Sequence, residues 1–386
     1  MSARHGLTQQ EGLLARGTVV PWHAGMDMRR WYPLFAQRDA QTGEVSLCWR
    51  DLGRQPFSEP FFVNTLARQP HEERRVCHTP LAALATLGDC LAPDAFIFHV
   101  SRCGSTLLTQ LLATLPQCVV LSEPTVIDSL LRLHHDGMAG SDGIALLRQA
   151  ILALGQRRTS EETHFFVKFD CWHIHSLTLL HHAFPDTPCL FLYREPQAVL
   201  ASHQRQRGPQ MIPGMLHPAL LPLPAHQLAP GDIDGYTGLV LASLFDAALP
   251  HAAAGQLQLI HYKQLPDIVF SDVLARLGIA PTPAQLQAMR ARGGVHAKYG
   301  TAYAPLAGGQ GRQPASEAKV KQQIIAESIA AYPGRCPCPY NAAKNGSACG
   351  GRSAWSRKGG YAPICYEREI SSEMVRKWRE ENAAAP

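Results

Sequence analysis

Residues 94–108 read Asp94-Ala-Phe-Ile-Phe-His-Val-Ser-Arg-Cys-Gly-Ser-Thr-Leu-Leu108. The apolar run up to Val100 has the length of a strand. From Thr106 to Leu115 leucines recur at helical spacing, and Pro116 stands beyond the end. Strand, tight turn and helix form the opening unit of an α/β domain. Within the turn, Gly104 permits close backbone approach, Ser105 and Thr106 add hydroxyls, and Arg102 adds a permanent cation. The amides and dipole of a helix N-terminus favour an anion, so a phosphate or sulfate would sit there without strain. The turn lacks the first Gly and the Lys of the nucleotide-kinase loop G-x-x-x-x-G-K-[ST]. The same residues also read as an ordinary strand-helix turn capped by Ser105.

The pattern repeats outward. Cys118–Leu121, His164–Phe169, Pro188–Tyr193 and Leu257–Tyr262 read as short apolar strands. Between and after them, 125–133, 144–154, 176–183, 197–206, 236–249 and 271–277 read as helices. Short apolar strands alternating with helices predict an α/β fold whose parallel sheet is covered on both faces. Residues 1–90 are irregular and β-leaning. The Pro-rich stretch 208–231 predicts an extended loop, of a length found in lids, binding segments and disordered links. Ser316–Tyr332 predicts an amphipathic helix with Val320, Ile324, Ser328 and Tyr332 on one stripe. The expected organisation is an N-terminal extension (1–90), an α/β domain (91–315), and a helix plus cysteine-rich module (316–386).

Charged residues make up 17% of the 386 and apolar ones 46%. That excludes a disordered chain. The formal charge is +5, of which +4 lies from Gly334 onward. The near-neutral body lacks the basic footprint of a nucleic-acid binder. No run reaches the ~18 apolar residues of a membrane span, and the N-terminus has no secretory apolar region. Cys48, Cys77, Cys90, Cys103, Cys118, Cys171 and Cys189 are dispersed, which suits a reducing compartment, so a cytoplasmic location is expected. Cys336, Cys338, Cys349 and Cys365 crowd together in a C-x-C-x10-C-x15-C pattern. Four cysteines allow three disulfide pairings or one zinc site, and this spacing is not a standard zinc one.

Arg102-Cys-Gly-Ser-Thr-Leu107 resembles the 5'-phosphosulfate loop, R-[SG]-G-[ST]-[ST]-L, of sulfotransferases that use PAPS (3'-phosphoadenosine 5'-phosphosulfate); Cys103 departs from the usual residue. Phe191-Leu-Tyr-Arg-Glu-Pro-Gln-Ala-Val-Leu-Ala-Ser202 is similar to that family's 3'-phosphate segment, a strand ending in R-[DE]-P with a Ser eight residues after the Arg. Arg194 and Ser202 stand at that spacing, and the two motifs come in the family's order. The resemblance covers roughly 94–310. It implies a P-loop NTPase-like sulfotransferase fold, with Arg102, Cys103, Gly104, Ser105, Thr106, Arg194 and Ser202 holding PAPS. Ile260-His-Tyr-Lys-Gln-Leu-Pro266 resembles the family's Y-[ED]-x-L stretch, with Lys263 where the pattern has an acid. Tyr299–Arg312 stands where a loop over the nucleotide would lie. Residues 47–62 look like the N-terminal extension of some bacterial sulfotransferase-like proteins. The segments around Cys336 and Cys349 are similar to small bacterial proteins carrying CPCPYN and CGGRSAYS.

By the same resemblance Glu123, 21 residues after Arg102, is the general base for an acceptor hydroxyl or amine. Read by itself, Glu123 also suits the N-terminus of the helix that follows. Lys168 closes an apolar strand; at the mouth of a parallel sheet a Lys meets an anion or pairs with a carboxylate such as Asp170. The family likeness puts it on the transferring sulfuryl group. Arg102, Lys168 and the helix N-terminus would supply the positive charge, with no metal required. His173 or His175 is the reserve base, and the pair lacks a local third ligand for a metal. The competing readings are a non-catalytic PAP- or PAPS-binding protein and, disfavoured by the missing Lys, a nucleotide kinase. The acceptor (small molecule, carbohydrate or peptide) and the oligomeric state are not legible.

Overall fold

The computed structural model describes residues 11–137, 141–224, 231–294 and 317–330, and 332–383 with breaks at 333, 335, 342, 344–346 and 358–362. The chain divides into two compact units, 1–304 and 305–386.

The first unit opens with a four-stranded sheet in the order β1-β4-β3-β2. Its strands are β1 (Thr18–Val19), β2 (Trp31–Arg38), β3 (Val45–Asp51) and β4 (Arg75–Pro80), with helix α1 (Phe62–Arg68) between the last two. The five-stranded sheet comprises β5 (Ala95–His99), β6 (Cys118–Ser122), β7 (His164–Lys168), β8 (Cys189–Tyr193) and β9 (Gln258–His261). Its order is β6-β7-β5-β8-β9 and every pairing is parallel. The three middle strands are almost wholly buried, which is why they read as unbroken apolar runs. The longer helices of the unit are α2 (Ser105–Leu112), α3 (Thr125–His135), α4 (Ser141–Leu154), α5 (Leu177–Ala183), α6 (Pro196–Arg205), α7 (Ile233–Ala253) and α8 (Pro283–Gly293).

The alternation thus predicts the α/β class and each strand of the parallel sheet. The N-terminal sheet is built onto that core. The Ala36 amide donates to Ser129 Oγ (2.8 Å) and Thr125 Oγ1 donates to the Leu34 carbonyl (2.5 Å), so β2 lies against α3. Tyr32, Leu34 and Trp49 join the same hydrophobic core as Phe96, Val120 and Phe166. Each such fully buried side chain contributes roughly 1.5–3 kcal/mol. The Pro-rich stretch is less open than a lid. Met211, Leu216, Leu220 and Leu221 are buried, and Pro209–Met211 forms a 3-10 turn; 225–230 lie outside the described residues.

Register decides where the site falls. Ile97 pairs with Lys168, Ser122 with Lys168 and His99 with Leu192, so the carboxyl ends of β5, β6, β7 and β8 lie side by side. After β5 the chain moves to one side to form β6 and β7, then to the other for β8 and β9. Ligands of open α/β sheets bind at such a switch point.

In the second unit, α9 (Glu317–Ala330) and α10 (Ser372–Ala383) bury Val320, Ile324, Ile370 and Val375 together. The stripe read at Val320 and Ile324 is therefore the inward one. Cys336 is bonded to Cys349 and Cys338 to Cys365. This corrects the zinc alternative, since all four sulfurs are taken up in disulfides. Among the described residues no helix is long and apolar enough to cross a membrane.

Candidate functional site

A cavity of about 300 Å³ opens at the carboxyl ends of β5, β6, β7 and β8. Its floor is the turn between β5 and α2. Ser101 (φ 70°), Arg102 (φ 50°) and Gly104 (φ 87°) all lie in the left-handed region. Gly104 is required twice over: besides its φ, a Cβ there would come within 2.5 Å of Leu265 Cδ1 and 3.1 Å of Tyr262 Cδ2. Gly104 also precedes the first residue of α2, with no side chain capping that end. Ser105 is therefore not a cap, and the first amides of α2 have no intrahelical acceptor.

The turn is held from behind. Cys103 Sγ donates to the Leu192 carbonyl (3.1 Å), and burial pushes its thiol up to about 11, so it is an anchor and not a nucleophile. Ser101 Oγ receives His203 Nε2 (3.1 Å) and Gln210 Nε2 (3.0 Å), which ties the turn to α6 and to the Pro-rich stretch. The Gly208 amide donates to the other ring nitrogen of His203, fixing the tautomer that donates to Ser101. The Arg102 guanidinium donates to the Gln206 carbonyl.

Glu123, directly after β6, has a φ of 58°, and its amide donates to the Lys168 carbonyl (2.7 Å). A non-glycine residue held there costs of order 1–3 kcal/mol and is found where surrounding structure fixes a functional geometry. Its carboxylate meets Lys168 Nζ at 2.8 Å and His99 Nε2 at 3.5 Å. The Ser101 amide donates to His99 Nδ1 (3.0 Å), leaving Nε2 as the nitrogen that bears hydrogen toward Glu123. Burial pushes the Glu123 carboxyl up, but Lys168 and His99 outweigh it and hold the group well below the usual range. Lys168 is fully buried, with Nζ 3.4 Å from Thr106 Oγ1 and 4.6 Å from the centre of the Phe61 ring. Both readings of Lys168 therefore meet in one place: it has a carboxylate partner, and it stands at the anion-binding turn.

On the opposite side Arg194, at the end of β8, rests its guanidinium 4.3 Å above the Tyr262 ring, with Ser202 on the same wall. Lys263 pairs with Glu195 at 2.6 Å. The basic residue at 263 thus has an acidic partner in Arg194-Glu195-Pro196.

Of the residues singled out in the sequence, Arg102, Cys103, Gly104, Ser105, Thr106, Glu123, Arg194 and Ser202 line this cavity, and Lys168 backs it. His173 and His175 do not reach it. His173 Nε2 lies 3.2 Å from Asp128 Oδ1 behind the wall, and His175 meets Ser243 Oγ at 3.1 Å. Both are therefore corrected as reserve bases. His99, Phe61, Gln210 and Asp170 line the cavity without having been singled out for it. A histidine at a strand end among 18 in the chain offers no signal by itself. Tyr299–Arg312 lies outside the described residues. Among the described residues no cluster of His, Cys, Asp and Glu is arranged to hold a metal.

No protein-family model matches the chain, and no curated protein does. Among solved structures it is similar to a sulfotransferase domain from the curacin biosynthetic pathway, at 18% identity over 51% of this chain and 78% of that one, with a TM-score of 0.35. It is also similar to a sulfotransferase from Alicyclobacillus acidocaldarius, at 16% over 52% and 90%, TM-score 0.31. Mouse sulfotransferase SULT7A1 complexed with PAP matches at 12% over 91% and 99%, TM-score 0.31. Such remote likenesses assign no residue a role in this chain.

Proposed function

We propose that this chain transfers a sulfuryl group from PAPS to an acceptor hydroxyl or amine. The observation that carries the reading is convergence: two segments about 90 residues apart in sequence, Arg102–Thr106 and Arg194–Ser202, line one cavity that also holds a carboxylate. The donor set suits a nucleotide with two separate anionic groups. The amides of α2, Lys168 and Arg102 would meet the phosphosulfate, and Arg194 with Ser202 the second phosphate. PAPS, when bound, supplies an activated sulfuryl group.

As the acceptor oxygen or nitrogen bonds to sulfur, the bridging S–O bond breaks and its electron pair leaves with the nucleotide phosphate. Glu123 takes the acceptor's proton. Lys168 serves both ends of this step. When it turns to the phosphosulfate, Glu123 loses its main counter-charge and its proton affinity rises toward a useful base. Positive charge around the transferring group carries most of the remaining work.

Glu123→Gln tests this with labelled PAPS and an acceptor library. Turnover is expected to fall by about 100-fold, within the usual range for a lost acid-base group. Affinity for PAP is expected to hold or tighten, because Lys168 is freed of its competing carboxylate. Undiminished turnover in the variant removes Glu123 from the role. PAP binding by the unaltered chain with no transfer to any acceptor would favour the non-catalytic binding protein instead.

A further inference from the structure

Asp170 stands at the N-terminal end of the 3-10 helix Cys171–Ser176, where an Asp ordinarily caps the first amides, yet its side chain makes no capping bond. It lines the cavity instead, and its carboxyl meets that of Glu123 within hydrogen-bonding reach. Two carboxyl groups so close cannot both ionise unless cations neutralise each. The groups facing this pair are Lys168 from β7, His99 from β5, Asp128 from α3, and the thiol of Cys171, with Cys103 behind it. Lys168 and His99 both lie on Glu123 Oε1. Asp128 adds negative charge, and the donors near it, Arg132, His173 and the Trp172 ring N–H, are engaged with Asp128 and not with Asp170.

We propose that Asp170 is a positioning residue that keeps its proton and donates it to Glu123, so that the two carboxyl groups work as one singly charged dyad. This rests on the sulfotransferase reading of Glu123. Burial and the charges of Glu123 and Asp128 push the Asp170 carboxyl well above its ordinary value, in agreement with that arrangement. The hydrogen bond from Asp170 fixes the orientation of Glu123 and spreads its charge. When the acceptor's proton arrives on Glu123, the dyad becomes neutral; no other bond changes.

The test has a structural arm and a kinetic arm on the full chain. The infrared difference between the unaltered chain and Asp170→Asn at neutral pH should contain the carbonyl band of a neutral carboxylic acid, the band of Glu11 being common to both and cancelling. Absence of that band from the difference overturns the dyad whatever the chain's activity, and so separates its failure from that of the sulfotransferase reading. In the kinetic arm, Asp170→Ala should lower kcat at least tenfold with KM for PAPS unchanged, the signature of an interaction made in the chemical step. Asp170→Asn retains a neutral donor and should recover most of that loss. It should also erase the alkaline limb of the kcat profile that ionisation of the dyad's second proton creates. An Asn variant as slow as the Ala variant, or one that keeps the limb, overturns the proposal.

Discussion

Gly104 shows how a single residue can be read from sequence for one reason and needed for a second. Its freedom of backbone was legible from the strand-turn-helix text around it. The packing of Leu265 and Tyr262 over its missing side chain was not, because those residues lie more than 150 positions away. Gly104→Ala therefore meets both a left-handed φ and a blocked Cβ. We expect a loss of about 1–2 kcal/mol, read as a lower urea midpoint with an unchanged slope. An unchanged midpoint would mean that the turn relaxes freely, against the rigid cradle described here. The same limit hid the ion pair made by Lys263. A departure from a family pattern looks like a defect until Glu195 is seen beside it. Asp170 was legible only as a pairing partner for Lys168, since nothing local shows that its carboxyl forgoes capping for Glu123.

Among the elements, the parallel strands were the most legible, because burial on both faces leaves an unbroken apolar signature. Their order was not legible, since sequence order and spatial order differ in β6-β7-β5-β8-β9. The N-terminal strands gave less away: β1 has two residues and β2 a register shift near Pro33. What fastens this region to the parallel core is polar as well as apolar. Glu11 forms an ion pair with Arg132 of α3, which also holds Asp128. Burial pushes the Glu11 carboxyl up to about 7, offset in part by Arg132. The folded state thus keeps a proton that the unfolded chain releases above its ordinary value of 4.5, so this group's contribution to stability declines as pH rises from about 4.5 to about 7. Glu11→Gln should flatten that part of the decline in a series of urea midpoints between pH 4 and 8. A slope equal to that of the unaltered chain would separate Glu11 from the effect.

At the scale of the whole molecule, the uneven cysteines and charge mark a real division. The seven dispersed cysteines are thiols in the first unit, while the four clustered ones form two disulfides in the second. Sequence spacing could not choose among the pairings, because chain folding alone sets which sulfurs meet. A unit whose described core is Val320, Ile324, Ile370 and Val375 gains much of its stability from such crosslinks. In the first unit, distant segments act together: a turn after β5, a strand end at β7 and another at β8 meet over one cavity. The central claim is that these segments form a single nucleotide site, and titration calorimetry of PAP against the full chain and its Arg194→Ala variant tests it most directly. We predict one PAP bound per chain, with affinity at least tenfold weaker once the charge-assisted contacts of Arg194 are lost, or roughly 1.4 kcal/mol or more. Equal affinity in the two proteins, or no binding to either, would contradict the account.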